Sequence, residues 1–202
     1  MTDFTICSFY TKDTPYEEII RTYLIPSLLN IGCDFYILPL DNKHTWGENT
    51  KLKASFARWC IDKLNNNVVL LDADAELLEF PTLFQHIPTD SVIGVHILDW
   101  KEWYGHGDKK ELLTGTMFIN KEHSDTIPFL TTWEEECLLG KANHDQEAMD
   151  IALQRHPIKI YELPLSYCYI KTLPGGGKPR IQLDNPVIIH NQASRRTKKC
   201  LH

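Results

Sequence analysis

No stretch of this chain approaches the ~18 consecutive apolar residues of a membrane span. Residues Met1 to Phe4 lack the charged and apolar regions of a secretion signal. Both absences predict a soluble protein of the cytoplasm. Positive charge is not in excess either: 21 Lys and Arg against 27 Asp and Glu leave a net −6, which excludes the domain-wide basic footprint of a general nucleic-acid binder. The six cysteines, Cys7, Cys33, Cys60, Cys137, Cys168 and Cys200, contain no C-x-x-C pair. Neither a zinc site nor a disulfide framework is indicated, and they read as core thiols of a reducing compartment. There is no internal repeat and no linker. The 202 residues are enough to bury a core unaided, so 1–202 is read as one domain.

What the chain does have is alternation of elements. Phe4 to Tyr10 reads as a strand, and Thr14-Pro-Tyr-Glu17 has the form of a capping box with proline in the first turn. The helix it opens should run to Gly32, with Pro26 kinking or interrupting it. Asp34 to Leu40 is a second strand. Asn49 or Thr50 caps a helix whose apolar face is Leu52, Phe56, Trp59, Cys60 and Leu64, and Val68 to Leu71 is a third strand. This β-α-β-α-β order predicts an α/β fold, a mostly parallel central sheet flanked by helices, with ligands bound beyond the carboxyl ends of the strands. Downstream, Ser91 to Ile97, Met117 to Ile119 and Val187 to His190 read as strands, with helices over Ser124 to Leu139 and Asp145 to Gln154. Leu98 to Glu111 reads as a long loop.

The third strand ends in Asp72-Ala-Asp-Ala-Glu76. Two carboxylates two residues apart on a strand point to one side. Hard oxygen ligands there suit Mg²⁺ or Mn²⁺, ions that commonly share their coordination with substrate phosphates. The competing reading is a solvated acidic strand end. Lys51 and Lys53, two apart on a helix, cannot both face one ligand, and one of them should be a solvated charge. Arg195-Arg-Thr-Lys-Lys199 reads either as a solvated run or as a clasp over a diphosphate. Trp100, Trp103 and Tyr104 have the chemistry to stack on acceptor sugar rings, although loop aromatics more often pack back on their own domain.

In order along the chain, these pieces resemble a glycosyltransferase of the Rossmann-like GT-A fold, in the pattern of the glycogenin-type family 8 enzymes. The resemblance rests on Phe9-Tyr-Thr11, Thr50-Lys-Leu52, Leu71-Asp-Ala-Asp-Ala75, Thr114-Gly-Thr-Met-Phe118, His144-Asp-Gln-Glu147 and Val187-Ile-Ile-His190. It implies that Phe9, Tyr10 and Thr11 hold the base and ribose, and that Lys51, with Lys53 as substitute, contacts the nucleotide sugar. Asp72, Asp74 and His190 would bind Mn²⁺ (or Mg²⁺), with Asp72 and Ala73 near the ribose. Thr114, Gly115 and Thr116 would lie near the sugar, and Asp145 and Gln146 would face its anomeric carbon. Family chains usually follow the histidine with an aromatic, a glycine and a lysine, whereas this chain reads Asn191-Gln-Ala-Ser-Arg-Arg-Thr-Lys198. Arg195 and Lys198 are the basic residues placed to meet the diphosphate.

The implied reaction moves a sugar from a UDP-sugar to a hydroxyl of a glycan, protein or other acceptor, with retention of configuration. If inversion occurs instead, Asp145 is the nearest general base. Minimal size and lack of an anchor fit soluble bacterial, phage or large-virus forms. Two alternatives stand beside it: a haloacid-dehalogenase-type phosphohydrolase with Asp72 as nucleophile, and a carbohydrate- or nucleotide-sugar-binding module without turnover.

Overall fold

The structure, a computed structural model, describes residues 3–139, 141–172 and 177–193. It opens with β1 (Phe4–Thr11), α1 (Tyr16–Thr22), α2 (Leu24–Ile31), β2 (Phe35–Leu40), α3 (Trp46–Lys63) and β3 (Asn67–Leu71). The Thr14 hydroxyl accepts the Tyr16 amide at the start of α1, while the Glu17 carboxylate turns to Arg21 instead of closing the box. The break at Tyr23 follows from Pro26, which lacks an amide hydrogen and opposes the carbonyl four residues back. α2 stops at Gly32, whose φ of 77° is left-handed.

α3 begins earlier than predicted, its cap four residues ahead of Asn49 and five ahead of Thr50. Thr45 is the cap, its side chain accepting the Glu48 amide, a bond worth about 1 kcal/mol. Asn49 and Thr50 lie inside the helix and serve other ends. Asn49 Oδ1 accepts the Lys43 amide, and Thr50 Oγ1 accepts the Asp145 amide at 3.4 Å.

The chain continues with β4 (Ala75–Leu77), β5 (Ile93–Asp99), α4 (Trp100–Tyr104), β6 (Lys110–Ile119), α5 (Thr126–Leu138), α6 (Asp145–Arg155), β7 (Ile160–Glu162), β8 (Tyr169–Ile170) and β9 (Ile188–His190). The central sheet has the order β2-β1-β3-β6-β5-β7. Its pairings are parallel except the two that involve β6. Of the predicted loop over Leu98 to Glu111, only 105–109 is irregular; the rest is the end of β5, α4 and the start of β6, which is ten residues long. Up to Thr116 the buried positions of β6 are Leu112, Thr114 and Thr116, with Glu111 and Leu113 half-buried beside them. Apolar alternation therefore reveals only the end from Met117 to Ile119.

Alternation along β3 builds the two halves of the core. Val68 and Leu70 pack with Phe56, Cys60, Phe129 and Trp133 of α3 and α5. Val69 and Leu71 pack on the other face with Ile20, Leu24 and Leu28 of α1 and α2. Each fully buried leucine contributes roughly 1.5–3 kcal/mol. Cys7, Cys33, Cys60, Cys137 and Cys168 are buried and free, and Cys200 lies outside the described residues. Among the described residues no helix is long and apolar enough to cross a membrane.

Since β1 pairs with β2 on one side and β3 on the other, the strand order reverses there and a crevice opens beyond their carboxyl ends. A second sheet, β4-β9-β8, stands beside that crevice and pairs Ala75 with His190.

Candidate active site

The crevice is a cleft of about 350 Å³. Phe9, Tyr10 and Thr11 of β1 line it, together with Lys53 of α3. Asp72, Ala73 and Asp74 enter from the turn after β3, and Thr114 and Gly115 from β6. Asp145 and Gln146 open α6, and His190 ends β9. Of the resemblance-derived residues that the structure describes, all but two, Lys51 and Thr116, line this cleft.

Asp72 and Asp74 face one cleft, though not by strand alternation. β3 ends at Leu71, and Asp72 to Asp74 form a turn closed by the Ala75 amide on the Asp72 carbonyl at 3.0 Å. Asp74 is held rigidly, with Oδ2 accepting the Ala193 amide at 2.7 Å and Oδ1 3.6 Å from His190 Nδ1. Burial would raise its pKa, but His190 and the Ala193 amide hold its carboxyl below the usual range. Burial pushes Asp72 upward against the pull of Lys53, and its side chain is 41% exposed to the cleft, so water relieves much of that pressure.

His190 is buried and oriented from both sides. Its Nε2 lies 2.9 Å from the Thr116 hydroxyl and its Nδ1 faces Asp74. Thr116 thus sits behind the histidine instead of lining the cleft. Burial alone would lower the imidazole pKa, but Cys168 and Asp74 outweigh it and push it up to about 10. Gln192 adopts a left-handed φ of 52°, which carries the chain back so that Ala193 reaches Asp74.

One atom each from Asp72, Asp74 and His190 lie within 4.8 Å of one another. A Cβ on Gly115 would stand 3.0 Å from His190 Cε1 and 3.3 Å from Asp72 Oδ2, so glycine keeps a cradle open between two of the three. Two carboxylates and one imidazole around such a space are a fitting donor set for Mn²⁺ or Mg²⁺.

Of the two lysines, Lys53 is the one that faces the cleft. Its ammonium lies 2.7 Å from Asp72 Oδ1, 2.9 Å from Asp145 Oδ2 and 3.1 Å from the Thr114 carbonyl. Lys51 points elsewhere, 2.8 Å from Glu48, and it too is buried, so neither lysine is a solvated charge. Burial would lower the Lys53 pKa, but its two carboxylates outweigh this and hold it protonated. Burial would raise Asp145, but Lys53 and the Thr114 hydroxyl at 2.7 Å hold it below the usual range. The Trp133 indole donates to the Asp145 carbonyl at 3.0 Å and fixes the start of α6.

Several lining residues escape a reading by motif: Trp46, Glu111, Leu113, Cys168 and Ile170. Glu111 accepts from Gln146 Nε2 at 2.7 Å and from Trp100 Nε1 at 2.6 Å. Trp103 is 1% exposed and packs edge-on against Tyr169, so it cannot stack on a sugar. Glu76 accepts from Asn191 at 3.3 Å, tying β4 to the residue after His190. Arg195 and Lys198 lie outside the described residues.

Residues 41–202 match the model of the nucleotide-diphospho-sugar transferase family. The chain belongs to that family, and it is a glycosyltransferase of the GT-A fold. Among solved structures it is similar to a glycosyltransferase involved in the glycosylation of the major capsid of the virus PBCV-1, with TM-score 0.65, 13% identity and 98% of each chain covered. The glycosyltransferase GlyE of Streptococcus pneumoniae gives 0.61 and 15%, covering 94% of this chain and 54% of that one. The galactosyltransferase LgtC, solved with donor and acceptor sugar analogues, gives 0.56 and 11%, covering 98% and 93%. No curated protein matches. Family membership sets aside both the phosphohydrolase and the non-catalytic module.

Proposed function

We propose that residues 1–202 act as one unit that transfers a sugar from a UDP-sugar to an acceptor hydroxyl, with retention and with dependence on Mn²⁺ (or Mg²⁺). The observation that carries this is the convergence of Asp72, Asp74 and His190 within 4.8 Å in the cleft that also holds Lys53, Asp145 and Gln146. A divalent ion bound there would neutralise charge developing on the leaving diphosphate. Phe9, Tyr10 and Thr11 offer aromatic faces and polar atoms to the base and ribose. Lys53 holds Asp72 and Asp145 in place and draws both carboxyls towards the ionised form, and Arg195 and Lys198 are assigned to the diphosphate.

Retention is favoured over inversion by the state of Asp145. A carboxylate tied to an ammonium and a hydroxyl, with its pKa held low, is a poor general base. Gln146, beside it in the cleft, is the group available to the sugar's reacting face. The acceptor is read as a glycan or other hydroxyl compound. The test is a panel of nucleotide sugars assayed for Mn²⁺-dependent turnover, with thermal stabilisation by UDP followed with and without Mn²⁺. Asp74→Ala should abolish metal-dependent turnover, and full activity in that variant sinks the assignment.

A further inference from the structure

β6 outruns β3. Their pairing stops at Leu71 and Thr116, but β5 continues opposite β6 as far as Asp99 and Lys110, past a register irregularity at Val95 and His96. This ribbon overhangs the cleft and carries Glu111 into it. Each Glu111 oxygen has its own partner: Oε1 accepts from Gln146 Nε2 at 2.7 Å, and Oε2 accepts from Trp100 Nε1 at 2.6 Å. The Lys109 ammonium lies 3.8 Å from Oε1.

The chemistry of the three groups permits one arrangement. An ionised carboxylate only accepts, an indole only donates, and a glutamine amide does one at each end. Gln146 must therefore give its Nε2 to Glu111, which leaves its carbonyl oxygen at the other corner of the amide. We infer that Glu111 is a positioning residue that fixes which end of Gln146 meets the donor sugar. It aims a carbonyl oxygen, a fixed partial negative charge, at the place where positive charge develops on the anomeric carbon. This rests on the role proposed above for Gln146.

The donor-only indole makes the inference testable. In Glu111→Gln the new amide must turn its oxygen to Trp100 and its NH₂ to Gln146. Gln146 is then satisfied only by flipping, which presents its own NH₂ to the sugar. The expected result is a fall in kcat of about tenfold or more, with donor KM little changed. Adding Trp100→Phe to that variant removes the demand of the indole. The residue-111 amide is then free to turn its oxygen towards Gln146, as Lys109 favours, and activity should recover relative to Glu111→Gln alone.

A merely structural role predicts the opposite, since the second substitution would compound the damage. A double variant no more active than the single one overturns the inference, as does a Glu111→Gln enzyme with wild-type kcat. A readout without turnover separates this from the proposed reaction. In the wild type, one Gln146 Nε2 proton, assigned through its loss in Gln146→Glu, should resonate downfield because it is bonded to a carboxylate. That shift should vanish in Glu111→Gln and return only in part in the double variant, where the acceptor is a neutral amide oxygen. Its persistence in Glu111→Gln refutes the orientation even if the enzyme is active. An inactive wild type showing the expected NMR pattern refutes the proposed reaction alone.

Discussion

Lys53 and Asp145 form an ion pair with 2.9 Å between ammonium and carboxylate, both side chains more than nine-tenths buried. The same ammonium reaches Asp72 at 2.7 Å, so one cation links the turn after β3 to the start of α6. The proposed donor-sugar chemistry needs both elements in register. A helix and a turn 70 or so residues apart in sequence have no local bond to enforce it, and the buried lysine supplies one.

Removing that cation should cost far more than a surface pair would. Lys53→Met leaves two carboxylates facing each other without a counter-charge and should lower stability by about 3 kcal/mol, read from the urea midpoint. Adding Asp145→Asn should restore part of the loss, because a neutral amide needs no cation. A single-variant loss below about 1 kcal/mol, the range of exposed pairs, contradicts the linking role.

Gly115 predicts a defect of binding and not of folding. The Cβ of Gly115→Ala would meet His190 Cε1 at 3.0 Å and Asp72 Oδ2 at 3.3 Å, displacing both by tenths of an ångström. The thermal midpoint without metal should change little, while Mn²⁺ affinity, measured by calorimetry, should fall about tenfold. Unchanged affinity would mean that the ion, if it binds, does not use the space between these side chains.

Much of the fold is legible in the sequence because periodicity reports burial. Pro26 and Gly32 mark the ends of α2 for covalent reasons, and the Val68–Leu71 run announces β3 through its unbroken apolarity. β6 up to Thr116 was hidden for a physical reason too, while Met117 to Ile119 reads as strand. Two of the buried positions there carry Thr114 and Thr116, hydroxyls that bond Asp145 and His190, so apolar alternation fades where the strand serves the site.

The site was legible where a motif is contiguous and obscure where it depends on helix phase or on the second sheet. Lys51 and Lys53 are equally lysine in sequence, yet only Lys53 lies four residues on from Asn49, on the face turned to the cleft. Glu76 lacks a role until β4 is seen beside β9, where it holds Asn191. Glu111 carries no motif at all.

Thr116 should act through His190. Thr116→Val keeps the volume but leaves Nε2 of a buried imidazole without its partner, a loss of about 1–3 kcal/mol. It also frees the ring to turn away from Asp74, so Mn²⁺ affinity should drop by roughly 10- to 100-fold. Thr116→Ser keeps the hydroxyl and should recover most of that. If valine and serine behave alike, the hydroxyl does not orient the ring.

The pH dependence of stability follows from the same histidine. Its folded pKa is raised from 6.5 to about 10, burial being outweighed by Cys168 and Asp74. A group raised in this way stabilises the fold fully below about pH 6.5 and loses that contribution as pH climbs through about 10, at a slope of at most about 1.4 kcal/mol per pH unit. Buried Cys33 and Cys137, also raised, act in the same direction above about pH 9, so the comparison must be with His190→Gln. The difference between the urea midpoints of wild type and variant should shrink steadily from pH 6.5 to 10 without metal. Saturating Mn²⁺ should reverse the trend, because an ion bound at Nδ1 takes the place of the proton and its stabilisation grows as the proton becomes easier to displace. A difference that stays flat across this range, with metal and without it, would show that His190 is neutral in the folded chain and that Asp74 is held by the Ala193 amide alone.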